Sequence, residues 1–366
     1  MPILQKIVIS NFRNIEFQEL EFSPKINCIW GNNGEGKTNL LDAVYYLSMT
    51  KSALGISDGF NCRHGQDGFS IAGTCLMPSS LKNRFSIVVK KGEEKKIRCD
   101  DKPYGRISEH IGKLPTVIIS PSDISLVSDS GEERRRFMNA VISQIDKEYL
   151  SAIQQYNRLL AQRNKMLKDG VGDATLLEIM DMKMSSHADF IHGKRAELCG
   201  PLTEAVNEYY RRLSGGGESV SIRYRSDIGK APLEQLLKES LERDRIMKYT
   251  TVGIQRDDFL FEMDGYPIRR CGSQGQQKSF LLALKLAQFD LMRRAFGFAP
   301  ILLLDDVFDK LDMNRTRNLL EMVSSEDFGQ IFITDSNKVR LASLVDGLAD
   351  DRAFFETVGG VFIRTE

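Results

Sequence analysis

A glycine-rich segment at residues 31–38 has the residue types and the spacing that bind phosphate. It fits the pattern GxxxxGK[ST] and lies between an apolar run that ends at Trp30 and a helical pattern that begins at Asn39, which is the context the pattern requires. Glycines let backbone N–H groups turn towards an anion, and the start of the following helix adds the positive end of its dipole. We expect nucleotide phosphates to bind at Gly31, Asn32, Asn33, Gly34, Glu35, Gly36, Lys37, Thr38 and Asn39.

Four side chains have separate expected roles at this site. Lys37 has the position of the lysine that reaches the β- and γ-phosphates, and Thr38 that of the hydroxyl that coordinates Mg²⁺. Asp305 and Asp306 follow an apolar run at the end of a predicted strand, where open α/β sheets bind ligands. We expect Asp305 to bind Mg²⁺ and Asp306 to orient and deprotonate the attacking water. The alternative is a pair of solvated carboxylates that cap a strand.

A third segment, which begins at Ser273, lies just before another helical pattern. Its hydroxyl and backbone N–H groups can face an anion at the start of a helix. Taken alone, the segment fits an ordinary helix N-cap better, but its position ahead of Asp305 favours a second contact with the nucleotide. The candidate residues are Ser273, Gln274, Gly275 and Gln276.

The elements that must position these segments change character along the chain. Residues 7–30 alternate between apolar and polar side chains, which predicts half-buried antiparallel strands. Residues 131–170 carry an apolar stripe that predicts one helix face, and Met180, Met182 and Met184 beyond it are expected in a core or at a partner surface. Further strands are predicted at 69–73, 84–89, 115–119, 220–224, 258–263, 301–304 and 331–334, further helices at about 174–198, 201–213, 233–247 and 276–296, and a hairpin at 352–364.

Composition narrows the class of protein. The 366 residues hold 50 basic and 50 acidic side chains, so the net charge of zero argues against a generally basic coat for nucleic acid, although a local basic face stays open. The six cysteines contain no CxxC pair, which disfavours a zinc ribbon. The sequence shows neither a signal peptide nor an apolar run long enough to span a membrane, so we expect a cytoplasmic protein without a membrane partner.

The order of these segments resembles the head of ABC-type ATPases, in the branch that includes SMC and Rad50 proteins. Within that branch the sequence is similar to the RecF family. The blocks that carry the resemblance lie at 11–14, 132–137, 256–258, 273–277 and 302–307. The resemblance runs from about residue 3 to about residue 340. It implies a Rad50-like P-loop NTPase fold of α/β class with ATP and Mg²⁺ as cofactors.

The resemblance also implies a division of the chain and a dimer. Residues 1–128 and 249–366 would be the two parts of one ATPase domain, and residues 129–248 an inserted helical lobe. In such heads the serine motif of one subunit covers the nucleotide held by the other, so Ser273 would bond the γ-phosphate across an ATP-dependent homodimer. Arg13 resembles an arginine that lies near the nucleotide phosphates.

The sequence departs from the family pattern at several positions. Gln255 stands where the family usually has a histidine, and an arginine common near Ala53 is missing. Asp335 stands where ABC-type transporters place a switch histidine. Asp123 is the nearest polar candidate for the glutamine that follows the strand at 115–119.

The resemblance also implies an activity and partners, beginning with DNA-stimulated ATP hydrolysis. We expect the hydrolysis to be slow, because Asp306 is one methylene shorter than the glutamate common at this position. The ATP-bound dimer would bind gapped DNA or single-strand/double-strand junctions without sequence specificity. It would help load recombinase in DNA repair, replication and the SOS response, with RecO and RecR as partners near the nucleoid. Basic clusters such as Lys90-Lys91 and the arginines at 134–136 would contact phosphate, although each fits a solvated face equally well. The alternatives are an ABC-type switch with negligible hydrolysis and a transporter-coupled subunit that does not act on DNA.

Overall fold

The computed structural model describes residues 1–170, 174–346 and 351–365. The chain divides into two compact units. The first unit contains residues 1–123, 212–214 and 285–366, and the second contains residues 124–211 and 215–284. Within the described ranges, no helix is long and apolar enough to cross a membrane.

The strands form two six-stranded sheets in the first unit and one three-stranded sheet in the second. The antiparallel six-stranded sheet has the order β2-β1-β4-β5-β6-β7, the mainly parallel sheet has the order β15-β14-β3-β13-β12-β8, and the small sheet has the order β11-β10-β9. The strands, in chain order, are β1 (Ile3–Phe12), β2 (Ile15–Glu21), β3 (Ile26–Trp30), β4 (Gly68–Leu76), β5 (Lys82–Lys90), β6 (Lys96–Cys99), β7 (Lys102–Pro103), β8 (Thr116–Ile119), β9 (Val220–Arg225), β10 (Asp258–Met263), β11 (Tyr266–Pro267), β12 (Ile301–Leu304), β13 (Ile331–Asp335), β14 (Arg352–Val358) and β15 (Val361–Arg364).

The longer helices lie mainly in the second unit. The helices, in chain order, are α1 (Lys37–Met49), α2 (Asp58–Asn61), α3 (Ser125–Ser128), α4 (Gly131–Ile145), α5 (Lys147–Asp169), α6 (Ala174–Ser214), α7 (Leu233–Met247), α8 (Ile268–Cys271), α9 (Gln274–Phe296), α10 (Met313–Val323) and α11 (Lys338–Val345). An element of the predicted type lies at each predicted segment, and the boundaries of α7 and β10 match the sequence pattern.

Helix α1 lies in the core between the two large sheets. Leu40, Ala43 and Leu47 of α1 are fully buried in one apolar cluster with residues of β1, β4 and β5 on one side and of β12 and β13 on the other. A helix that is apolar on most of its surface must be covered on most of its surface. The packing therefore fixes the start of α1, which is also the end of the glycine-rich segment.

The pairing of β3 corrects one prediction. Residues 26–30 were expected in a half-buried antiparallel strand, but β3 pairs in parallel with both β13 and β14. Ile26, Cys28 and Ile29 are buried, as is Asn27 between them, so the strand has no solvent face. Burial on both faces is typical of parallel strands covered by helices or a second sheet.

Two helix boundaries also differ from the sequence pattern. The single helix face expected over residues 131–170 is divided between α4 and α5, because Asp146 caps α5 by accepting a bond from the Tyr149 N–H at 2.9 Å. In contrast, α6 continues through Pro201, where two helices were expected. Leu202 and Val206 are fully buried just beyond the proline, so packing outweighs the lost backbone hydrogen bond.

The second unit extends beyond the predicted lobe of residues 129–248, because β10 pairs with β9 along its whole length. A buried arginine joins three of its helices. Arg163 of α5 donates to Asp181 of α6 at 2.8 Å and to Asp244 of α7 at 2.7 Å. The carboxylate of Asp244 is fully buried, so its charge depends on this partner.

We expect Arg163→Leu to destabilise the protein by about 3–5 kcal/mol, because it leaves two carboxylates without their buried cation. The midpoint of urea unfolding, followed by circular dichroism, measures the loss. Arg158→Leu is the matched control, since Arg158 is an exposed arginine of the same helix and should change stability by less than about 0.5 kcal/mol. Equal effects of the two substitutions would show that Arg163 is not a structural ion pair.

Candidate nucleotide-binding site

The backbone of residues 31–38 is shaped as an anion-binding loop. Gly34 and Gly36 have φ values of 88° and 114°, which L-amino acids with side chains rarely adopt. Gly36 is also the N-cap of α1, so the N–H groups of the first helical turn point towards the loop. Its position is crowded as well, because a Cβ atom there would lie 2.8 Å from Nδ2 of Asn14.

Lys37 is held in place by the loop that it follows. Its ammonium donates to the carbonyl oxygens of Gly31 at 2.7 Å and Asn32 at 3.2 Å. The side chain is buried, and it faces carbonyl oxygens that do not carry a full negative charge. Within the described part of the chain, Lys37 has oxygen partners but no ion pair, which suits its ammonium to an anionic ligand.

The hydroxyl of Thr38 contacts both carboxylate oxygens of Asp305, at 3.0 and 2.9 Å. Thr334 on the neighbouring strand donates to Asp305 at 2.9 Å and accepts a bond from the N–H of Asp306 at the same distance. These contacts join the end of the glycine-rich loop to the ends of β12 and β13. Sequence analysis predicted Asp305 but missed Thr334, whose signal is a polar residue at the end of the apolar run 331–333.

The pKa of the buried Asp305 carboxyl is raised to about 6, chiefly because burial disfavours its charged form. The hydrogen bonds from Thr38 and Thr334 favour the charged form and oppose this shift. The carboxylate therefore costs folding free energy at neutral pH, and a nearby cation would remove that cost.

Asp306 adopts an unusual backbone conformation at the same edge of the sheet. Its φ of 45° and ψ of 35° lie in the left-handed region, which is uncommon for residues other than glycine. The bond from its N–H to Thr334 helps to hold this conformation. Strained residues of this kind are found disproportionately at ligand-binding and catalytic sites.

Arg13 connects the site to a neighbouring buried cluster. Its guanidinium is 2.5 Å from the carboxylate of Asp42 and also donates to Asn39 at 3.0 Å and to Asn61 at 3.1 Å. Burial lowers the pKa of Arg13 and raises that of Asp42, while their mutual attraction opposes both shifts. Asp42 was missed by sequence analysis, although a carboxylate among the apolar residues of the α1 pattern is a usable signal.

The C-terminal hairpin holds the other side of the loop. The carbonyl oxygen of Glu35 accepts bonds from the N–H of Gly360 at 2.8 Å and from Nδ2 of Asn14 at 3.0 Å. The carboxylate of Glu35 accepts a bond from the N–H of Gly359. A Cβ atom at Gly31 would lie 2.5 Å from the carbonyl oxygen of Thr357, so glycine is required there. No local sequence pattern indicates these contacts, and those between the loop and the hairpin join residues more than 300 positions apart.

A cavity of about 210 Å³ lies at the glycine-rich loop and the start of α1. Its walls combine backbone N–H groups, one ammonium and an exposed edge of hydroxyl and carboxylate oxygens, which suits a phosphate group together with a hard cation. The residues therefore fit a nucleotide with Mg²⁺. The lining residues are Asn33, Gly34, Gly36, Lys37, Thr38, Asn39 and Asp306.

The Ser273 segment belongs to the second unit, where it begins α9. Ser273 and Gln276 form a reciprocal cap, in which the Ser273 N–H donates to the Gln276 side chain at 2.7 Å and the Gln276 N–H donates to the Ser273 hydroxyl at 3.3 Å. Ser273 and Gln274 are exposed, and Gly275 follows them within the helix. The predicted contact of these residues with a nucleotide on another subunit stays a prediction.

Two further candidates are held in ion pairs inside the first unit. Asp123 lies 2.7 Å from the ammonium of Lys285, and its other oxygen accepts a bond from the Ser120 N–H. Asp335 is buried and accepts two bonds from Arg340, at 2.7 and 2.8 Å. Both carboxylates thus have structural partners, and their equivalence to the glutamine and the switch histidine of other ABC-type proteins is a prediction.

The fold and the site define an SMC-like ATPase head. Residues 3–348 match the family model described as the RecF/RecN/SMC N terminal domain. An Smc head domain from Pyrococcus furiosus has the same fold, with a TM-score of 0.57 at 16% identity over 100% of this chain and 96% of that one. The fold class predicted from the sequence is confirmed.

Relatives of higher identity narrow the family. The chain is 42% identical to the DNA replication and repair protein RecF of Parabacteroides distasonis, over 98% of both chains, and 41% identical to RecF of Bacteroides fragilis, over 100% and 99%. It is also similar to the solved structure of a recombination mediator protein, RecF-ATP, with a TM-score of 0.90 and 30% identity over 100% of this chain and 98% of that one. The chain belongs to the RecF family, as the sequence blocks predicted.

We expect Asp305→Asn to stabilise the nucleotide-free protein at pH 7.5 by up to about 3 kcal/mol, because the raised pKa means that the ionised carboxyl costs folding free energy. The cost is present above the folded pKa of about 6 and is lost as the pH falls towards the ordinary value of 3.8. The gain measured by urea unfolding should therefore be smaller at pH 4.5 than at pH 7.5.

Asp67→Asn serves as the control for this prediction, since Asp67 is an exposed carboxylate of the same unit. It should change stability little at either pH. A gain for Asp305→Asn that does not depend on pH would contradict the assignment of a destabilising buried charge.

Proposed function

We propose that the protein is an ATP-dependent recombination mediator that dimerises when it binds ATP, binds DNA as a dimer and hydrolyses ATP slowly. The observation that carries the proposal is the cavity beside Lys37, Thr38 and Asp306, on a chain of the RecF family. One similar solved structure is of the recombination mediator protein RecF-ATP and another is of RecF-ATPrS, both in the RecFOR pathway.

Different residues of the site would bind the phosphates and the magnesium ion of Mg·ATP. The N–H groups of residues 34–38 and the ammonium of Lys37 would hold the β- and γ-phosphates, and the oxygens of Thr38 and Asp305 would hold Mg²⁺. Bound Mg²⁺ supplies charge neutralisation at the transferred phosphoryl group. Burial raises the pKa of Asp305, so a bound cation would also stabilise the ionised form of this carboxyl group.

Asp306 is the proposed general base. Its backbone is fixed through Thr334 in a left-handed conformation, and the residue lines the cavity. It would orient a water molecule and accept its proton. Aspartate has one methylene less than glutamate, so the carboxylate reaches less far from the strand, which supports slow hydrolysis and a switch more than a motor.

ATP would close two copies of the chain on each other. Ser273 and Gln276 present a capped helix start at the surface of the second unit, and the proposed partner is the γ-phosphate held by another copy. A γ-phosphate that is bound only in the closed dimer provides the differential affinity that drives closure, and its loss on hydrolysis reverses it.

The closed dimer is the form proposed to bind DNA, at gaps or single-strand/double-strand junctions, and to act with RecO-like and RecR-like partners in recombinase loading. The support is family membership, together with exposed basic residues such as Lys90 and Arg98 on the antiparallel sheet and Lys91 in the turn after β5. Such contacts to phosphate carry no sequence information and would make binding sensitive to salt.

Mixing two inactive variants tests the shared site. Lys37→Met and Ser273→Arg should each reduce phosphate release strongly, because each damages both sites of a homodimer. A 1:1 mixture should recover up to about a quarter of the wild-type rate, since random pairing makes about half of the dimers mixed and each mixed dimer has one intact site. Phosphate release is measured with gapped DNA present, and dimer formation by analytical ultracentrifugation with and without ATP.

Recovery of activity in the mixture requires the site to be built from two chains. If the mixture stays as inactive as its components while wild-type protein still dimerises on ATP, Ser273 does not act in trans. If wild-type protein stays monomeric at saturating ATP and Mg²⁺ and binds DNA equally well without them, the proposed function itself fails.

Asp306→Asn tests the proposed base. We expect phosphate release to fall by about 10²–10⁴-fold, because the amide cannot accept the proton of the attacking water. ATP-dependent dimerisation and DNA binding should persist, since the substitution leaves Lys37, Thr38 and Asp305 in place. Asp67→Asn is the control, because Asp67 is an exposed carboxylate of the same unit. An undiminished rate of hydrolysis in Asp306→Asn would assign the base to another residue.

A further inference from the structure

The Ser273 segment makes a contact beyond its own helix cap. Nε2 of Gln276 donates to Oε1 of Glu218 at 2.7 Å, and Glu218 lies 58 positions earlier, in the connection between α6 and β9. Both residues are half-buried, and both belong to the second unit. A hydrogen bond to a carboxylate is stronger than one to a neutral oxygen. Glu218 is therefore a firm partner for the Gln276 amide.

The chain on both sides of Glu218 fixes its position. Residues 215–217 before it are glycines with φ values of 84°, 92° and 116°, a conformation that residues with side chains rarely adopt. After it, the Ser219 N–H donates to the Asp264 carboxylate at 2.9 Å, and the Asp264 N–H donates to the Ser219 carbonyl oxygen at 2.9 Å. Asp264 lies in the turn between β10 and β11, and β11 leads through α8 to Ser273. The three-stranded sheet thus carries both partners of the contact.

Two bonds set the orientation of the Gln276 amide. Its nitrogen donates to Glu218, and its oxygen accepts a bond from the Ser273 N–H at 2.7 Å. A carboxylate only accepts and an N–H only donates, so the amide cannot turn over without losing both bonds. The backbone N–H of Gln276 in turn donates to the Ser273 hydroxyl at 3.3 Å. Glu218 therefore restrains Ser273 through one intermediate residue.

The same bonds determine which groups can donate to an anion. The Ser273 hydroxyl oxygen accepts the bond from Gln276, and an oxygen that accepts in this way keeps its own proton to donate. The N–H groups of Gln274 and Gly275 lie in the first turn of α9, where no helical carbonyl oxygen can reach them. A hydroxyl and two N–H groups at one helix start suit the oxygens of a phosphate.

We infer that Glu218 is a positioning residue for the contact with the γ-phosphate of another copy, and that it acts through Gln276 on the Ser273 hydroxyl. In this arrangement the Gln276 side chain supports the donors and does not itself contact the nucleotide. The inference rests on the proposed function, because it concerns the same contact between two copies. The carboxylate of Glu218 also repels an incoming phosphate. If repulsion dominated, its removal would favour the closed dimer, whereas loss of positioning disfavours it.

Two substitutions of Glu218 separate its hydrogen bond from its charge. Glu218→Ala should raise the dissociation constant of the dimer at saturating ATP and Mg²⁺ by about tenfold, because a bond to a charged group is lost. Glu218→Gln should dimerise nearly as wild type does, since its amide oxygen can still accept from Gln276. Analytical ultracentrifugation measures the dimer. The affinity of the monomer for fluorescently labelled ATP should not change in either variant, because Lys37 and Thr38 of the same chain would hold that nucleotide.

Two further comparisons show whether the effect passes through Ser273. In a Ser273→Ala background, Glu218→Ala should cause little additional loss of dimer, because the group that it positions is already absent. Glu239→Ala is the matched control, since Glu239 accepts a bond from the Gln235 amide at 2.8 Å in the same unit. It removes the same kind of bond and should dimerise as wild type does.

Hydrogen exchange tests the restraint without nucleotide. A peptide that covers residues 272–277 should exchange faster in Glu218→Ala than in wild-type protein and at the wild-type rate in Glu239→Ala. Unchanged exchange in Glu218→Ala overturns the inference.

The dimerisation results separate a failure of the inference from a failure of the proposed function. The inference alone is overturned if wild-type protein dimerises on ATP and Glu218→Ala dimerises equally well or better. It is also overturned if Glu218→Ala has the same effect with and without Ser273. Wild-type protein that stays monomeric at saturating ATP contradicts the proposed function, and the inference falls with it.

Discussion

The contact between Thr38 and Asp305 depends on the parallel register of three strands, and the candidate site depends on that contact. Trp30, the last residue of β3, pairs with Asp335 of β13, and Ile333 pairs with Leu304 of β12. The carboxyl ends of the three strands therefore meet at one edge of the sheet. The glycine-rich loop begins at that edge, and Asp305 and Thr334 lie at it, so the three can come into contact. The buried helix α1 fixes the position of the loop.

Sequence patterns identified the parts of this arrangement that are encoded locally. The loop at residues 31–38 and the aspartates after β12 are short segments whose chemistry follows from adjacent residues. The contacts of Arg13 with Asp42 and of Glu35 with Gly359 could not be predicted, because they join distant segments through the tertiary fold. The break at Asp146 was misjudged because one capping bond outweighed a continuous apolar stripe.

In the second unit, internal ion pairs explain two residues of the sequence block at 256–258. Asp257 and Asp258 belong to one of the blocks that carry the resemblance to the family, and both are bound to buried arginines. Arg195 reaches Asp257 at 2.5 Å, and Arg134 reaches Asp258 at 2.8 Å. These ion pairs connect the start of β10 to α4 and α6. The two aspartates of the block therefore have a structural role, and Arg256 is the exposed residue of the block. Arg134 is buried in its ion pair with Asp258, so the predicted phosphate contact by the arginines at 134–136 now concerns Arg135 and Arg136.

The hairpin of β14 and β15 makes the glycine-rich loop depend on a distant segment of the chain. Glu35 accepts bonds from the N–H groups of Gly359 and Gly360. A fragment that stops before Gly359 would keep every residue of the GxxxxGK[ST] pattern and lose both of these bonds. The short pattern is therefore a marker of the loop, whereas the finished pocket is a property of the folded unit.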